Sequence, residues 1–102
     1  MNVKPINFKE KFSQMPEVWS PNLVAEMGDC EFKLVKIEDE FVWHVHPADK
    51  VFIVIEGVMG VEFRDGLVTI NTGEMLVVPK DVEHKPLSKG TCKIMLIEPK
   101  SH

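Results

Sequence analysis

The chain is 102 residues long, 44% apolar and 27% charged, the balance of one folded domain with no length left for a second. Twelve lysines and arginines against 16 aspartates and glutamates give a net charge of −4, which argues against the basic face that nucleic acid requires. No apolar run approaches the ~18 residues of a membrane span, and Met1-Asn2-Val3-Lys4-Pro5 lacks the apolar core of a secretory signal, so a cytoplasmic setting is expected.

Only one stretch reads as helix. Asn7 is placed to cap residues 8–14, where Phe8 and Phe12 share a face at i and i+4, and Pro16 and Pro21 end it. This short helix is expected on the outside of whatever follows. From there the apolar residues alternate or form short solid runs. Strands are predicted over 31–37, 41–45, 51–56, 58–63, 67–70, 75–78 and 92–97. Turn residues separate them, with Asp65-Gly66 as a two-residue hairpin loop and Ser88-Lys89-Gly90 as another turn. Many short strands without intervening helices mean a sandwich or barrel. Cys30 and Cys92 are too few for a disulfide framework and sit where small apolar residues belong.

Histidine placement carries the chemistry. On a strand, His44 and His46 point to one face, with Phe41, Trp43 and Val45 on the other. Two imidazoles about 7 Å apart along a strand can converge on one ion, each ligating at about 2.0–2.1 Å. His84 follows a strand that ends in Pro79, where a turn can swing it back towards the pair. The same spacing also suits hydrogen-bonded structural histidines, and His102 is a terminal residue expected to fray.

The segment from His44 to Gly57 resembles the first motif of the cupin family, HxH(x)3–4E(x)6G, and the segment from Gly73 to His84 resembles the second, G(x)5PxGxxH. The resemblance covers Phe41 to Pro86 and implies an all-β fold: a double-stranded β-helix, the jelly-roll or cupin barrel, with a short N-terminal helix and one domain over 1–102. Metal-binding members hold a divalent ion (Fe, Mn, Ni, Cu or Zn) with two histidines and a glutamate of the first motif and one histidine of the second. Carried over, that implies His44, His46 and His84 as ligands, while the glutamate's position falls on Lys50. Asp81 replaces the second motif's glycine, and Asp tolerates turn conformations better than most residues.

Lysine at position 50 leaves three outcomes open. It turns away and leaves a three-histidine site completed by water; Asp49 or Glu56 reaches in; or Lys50 takes the metal position itself, paired with a carboxylate. Two functions follow. One is a metal-dependent enzyme of dioxygenase, isomerase or decarboxylase type, with Glu56 or Lys50 as acid, base or substrate anchor and an interior lined by Val42, Phe52 and Val54. The other is a metal-free module that binds a small anion through Lys50. The chain has no tyrosine, so phenolic acid–base chemistry is not expected. Strands apolar on both faces need covering outside, by Phe8, Phe12 and Trp19 on one sheet and by a second subunit across Trp43 on the other, so a homodimer is expected.

Overall fold

A computed structural model describes residues 1–100; the terminal position 102 lies outside the described residues. In chain order the elements are α1 (Phe8–Ser13), β1 (Asn22–Met27), β2 (Cys30–Glu40), β3 (Lys50–Glu56), β4 (Val58–Phe63), β5 (Gly66–Asn71), β6 (Met75–Val78) and β7 (Lys85–Pro99). All pairing is antiparallel, and β7 organises it. Its C-terminal half lies between β2 and β3, while residues 85–87 pair with β4. β1 extends β2, β6 extends β3, and β5 completes a hairpin with β4. This is the expected jelly-roll barrel, closed by one long strand shared between two sets of neighbours.

Alternation along the strands fills two cores. Phe52 and Val54 of β3, Val35 and Ile37 of β2, and Ile94 of β7 turn inward and are all at least 95% buried. Ile53 and Ile55 turn outward, where Phe12 of α1 and Met15 just beyond its end cover them around Leu34 and Met95. The Asn7 side chain accepts from the Glu10 N–H at 2.9 Å and caps this helix as the sequence suggests. At the β3–β4 corner Gly57 has φ +106°, and a Cβ there would meet the Cys92 Cα at 3.1 Å, so only glycine fits.

Several boundaries differ from the sequence reading. β1 is an additional edge strand that the mixed pattern of residues 22–27 conceals. Residues 88–90 form no turn. They lie inside β7 as a bulge, where the register jumps from Ile37↔Cys92 to Asp39↔Ser88 and the single Ser88 hydroxyl proton is shared between the carbonyls of Gly90 at 2.6 Å and Val58 at 3.0 Å. The β4–β5 loop is Arg64-Asp65, one residue earlier than expected. Neither residue has positive φ, so glycine is not demanded in the loop and Gly66 opens β5. Residues 41–45 do not form a strand, because β2 ends just beyond Asp39 at φ +62°; the Phe41 N–H still donates to the Pro86 carbonyl at 3.0 Å, and His44 forms an isolated bridge. Val42 is consequently 63% exposed and not interior. Trp19 is not part of the outer core; it packs against the inner one. No helix among the described residues is long and apolar enough to cross a membrane.

Candidate functional site

His44 and His84 form an isolated antiparallel pair, each N–H donating to the other's carbonyl at 3.0 Å. That exchange sets their ring centroids 4.4 Å apart; His46 follows at 5.0 Å from His44 and 6.3 Å from His84. The structure therefore brings together the three imidazoles that the motifs single out. His46 is held from behind, because its carbonyl accepts the Asp81 N–H at 2.8 Å. Asp81 reaches that position with φ +65°, the left-handed conformation for which the second motif ordinarily carries glycine.

Two rings have their tautomer set by the backbone. His44 Nδ1 lies 3.0 Å from the Val42 carbonyl and His84 Nδ1 lies 2.8 Å from the Val82 carbonyl, so both Nδ1–H groups donate. Each Nε2 is left as a lone pair. His84 Nε2 is buried and has no hydrogen-bond partner. Burial pushes the His84 pKa below its ordinary value. Burial does the same to His46, with Lys50 the next cause.

Lys50 is the fourth member. Its side chain is buried, with Nζ 2.5 Å from His46 Nε2 and 3.7 Å from Glu98 Oε2. The other Glu98 oxygen accepts from Lys33 Nζ at 3.0 Å, and Lys33 also lies 3.5 Å from Glu31. Burial lowers the Lys50 pKa, and the Glu98 carboxylate opposes that shift. Glu98, Lys33 and Glu31 belong to no motif, and motif reasoning missed them. Strand parity was the available signal: Glu31 and Lys33 alternate in phase with Val35 and Ile37, and Glu98 with Ile94 and Leu96, so all three face inward. Together with Lys50 they make a charged tier at one end of an otherwise apolar interior.

The carboxylates suggested as substitute ligands are engaged elsewhere. Asp49 Oδ1 accepts the Lys80 N–H at 2.8 Å, and Glu56 pairs with Lys93 at 3.0 Å on the exposed outer surface. Glu56 is thus not brought to the histidines. Trp43 does not lie bare for a second subunit; the Arg64 guanidinium covers its ring at 3.8 Å. Among the described residues, no group of three or more His, Cys, Asp or Glu side chains is arranged to hold a metal ion. The donor set explains this: the lone pair of His46 Nε2 faces the Lys50 amine.

Beside the cluster lies an apolar cavity of about 100 Å³, walled by Phe52, Met59 and Ile94 and bounded by Trp19, Phe41 and His44. A wider concavity of about 550 Å³ around Gly60 and Leu87 touches none of the three histidines.

Residues 31–98 match the family described as Cupin domain. A cupin-2 domain containing protein from Shewanella frigidimarina is 57% identical, with a TM-score of 0.91 over 93% of this chain and 94% of that one. Uncharacterized protein YdbB of Bacillus subtilis is 31% identical over 67 residues, 64% of this chain, and the aligned stretch spans 59% of that protein's length. Hydroquinone 1,2-dioxygenase from Sphingomonas, solved with 4-hydroxybenzoate bound, shares the fold with a TM-score of 0.84 at 21% identity, over 98% of this chain and 33% of that one.

Proposed function

Because this chain belongs to the cupin family, we propose that its barrel interior is a small-molecule site in which Lys50 stands as a fixed cation among His44, His46 and His84. The contact between Lys50 Nζ and His46 Nε2 carries this reading. An ammonium at that atom takes up the lone pair that an ion would need and repels a dication. Glu98 neutralises part of the charge, and His44 and His46, both half-buried, leave the cluster reachable from solvent. A ligand with an apolar body and an anionic or hydroxyl end fits this division into an apolar cavity and a polar tier. Titration with propionate, followed by the imidazole signals of His46 and His84, tests it. Saturable shifts are expected, weakened at least tenfold in Lys50→Met. Absence of shifts, or equal shifts in the variant, would overturn the reading.

One observation favours a second reading. The buried, partnerless His84 Nε2 and the two Nδ1 groups tied to carbonyls resemble the outer-shell support of metal-ligating histidines. In that reading His44, His46 and His84 would hold Fe, Mn, Ni, Cu or Zn after Lys50 withdraws, and the ion would supply Lewis acidity for a dioxygenase, isomerase or decarboxylase reaction. Hydroquinone 1,2-dioxygenase in complex with Fe3+ has the same fold, at an identity that supports only the fold.

A homodimer belongs to this proposal too. Met75 and Val77 on the edge strand β6 are 62% and 49% exposed, next to Ile53 and Val51 of β3. In sedimentation velocity, Met75→Lys with Val77→Lys is expected to move a dimer peak to monomer; an unmoved peak would place the subunit contact elsewhere.

A further inference from the structure

We infer that Trp19, which lies outside both motifs, is the specificity-determining residue of the interior cavity and restricts its ligand to a single ring bearing a hydroxyl. The inference rests on the barrel interior being the small-molecule site, but not on Lys50 or on any ion. Phe52, Met59 and Ile94 are fully buried apolar walls, whereas Trp19, Pro21, Phe41 and His44 are the lining residues that reach solvent. The accessible edge of the cavity is therefore made of ring side chains, those of Trp19 and Phe41 the largest.

Trp19 is fixed there, not free to swing. Its backbone lies at φ +59°, a conformation that an L-residue keeps only when its surroundings hold it. Three contacts do so. Its N–H donates to the Lys36 carbonyl at 2.7 Å, its indole Nε1–H donates to the Glu38 carbonyl at 2.9 Å, and its ring stacks on Phe41 with centroids 4.9 Å apart. Phe41 in turn stands edge-on to His44 at 5.5 Å. Both hydrogen bonds run to β2, the strand whose Val35 and Ile37 form part of the same wall, so indole and wall move as one body.

Size and polarity then define the ligand. The cavity holds about 100 Å³, less than the ~150 Å³ apolar cavity known to take a benzene, so it admits at most one small ring at its open edge and a second has no room. With the Trp19 indole N–H already donating to the Glu38 carbonyl, His44 is the lining residue left with a polar side-chain atom for a ligand. Its Nδ1–H is committed to the Val42 carbonyl, so its Nε2 accepts and the matching ligand group donates. A one-ring alcohol or phenol has this chemistry.

The test uses the full chain with 15N-labelled indole, a chelator present, and toluene, phenol and 1-naphthol as probes. The chain has two tryptophans, and Trp43→Phe assigns the Trp19 signal while changing a ring that lies under Arg64. Phenol is expected to shift the Trp19 indole signal saturably and at least tenfold more tightly than toluene, and 1-naphthol is expected to leave it in place. By calorimetry, Trp19→Ala is expected to bind 1-naphthol at least tenfold more tightly than wild type, while Trp19→Phe stays closed to it. Should Trp19→Ala lose its fold, the phenol and 1-naphthol pair on wild type still decides. No response to phenol, entry of 1-naphthol into wild type, or equal exclusion by a folded Trp19→Ala would overturn the inference. The probes carry no carboxylate, the chelator removes any ion, and the same indole titration in Lys50→Met is expected to be unchanged, so these outcomes are separate from the propionate titration.

Discussion

Lys50 Nζ is closer to His46 Nε2, at 2.5 Å, than to its carboxylate partner Glu98, at 3.7 Å. A buried cation therefore rests on an imidazole lone pair, with its counter-charge one layer further out. That arrangement makes the two members of the ion pair unequal. Removing Lys50 takes away a desolvated charge and leaves Glu98 still paired with Lys33. Removing the Glu98 charge leaves Lys50 buried beside neutral rings.

Opposite stability effects are expected from the two partners. Lys50→Met replaces the buried ammonium with an apolar group of similar length and is expected to be neutral or stabilising by up to about 2 kcal/mol. Glu98→Gln is expected to destabilise by about 1–3 kcal/mol, below the usual cost of breaking a buried pair because Glu98 keeps some solvent contact. Urea unfolding midpoints measure both, and equal losses in the two variants would show an ordinary salt bridge instead.

The histidine pKa directions predict an acid limb. His46 and His84 are held below 6.5 by burial, so between their folded values and 6.5 the unfolded chain binds more protons. Stability should fall as pH drops through that window and level off beneath it. For Lys50 the window lies between its lowered folded value and 10.5, where stability should rise with pH. Comparing urea midpoints of wild type with His46→Gln gives the His46 share of the first limb, and comparison with Lys50→Met isolates the second. Parallel pH curves would contradict the assignment.

Asp81 predicts a stabilising substitution. At φ +65° its side chain is strained where glycine is not, and the strain of roughly 1–2 kcal/mol exceeds the ~0.5–1 kcal/mol of extra chain entropy that glycine loses on folding. Asp81→Gly is expected to raise the melting temperature by a few degrees without moving the His46 signals, since the backbone N–H that holds His46 remains. A lower melting temperature would mean that the Asp81 side chain contributes more than its backbone costs.

The barrel was legible because its signals are local: period-two alternation, closely spaced turns, and two motifs whose histidines do meet. The turn after Pro79 allowed His84 to approach His44, but motif resemblance specified the meeting, since their pairing spans 40 residues of chain. Residues 41–45 were misread as a strand because alternation survives in a segment that tertiary structure holds by one isolated bridge and one hydrogen bond from Phe41. Trp19 was misassigned because proximity to α1 in sequence does not reveal the left-handed turn at Trp19 itself that sends its ring to the inner core. The Lys33–Glu98–Lys50 tier was missed for another reason. Its members are in phase with buried residues, yet charged residues near strand ends ordinarily read as solvated.

Cobalt titration of wild type and Lys50→Glu, read by visible absorption, tests most directly whether a side-chain cation has taken the place of an ion. No saturable cobalt spectrum is expected for wild type at micromolar protein, and for Lys50→Glu an affinity at least tenfold higher, about 1.4 kcal/mol, that is lost again when His84→Ala is added. A stoichiometric cobalt spectrum in wild type that disappears in His44→Ala and His84→Ala would contradict it.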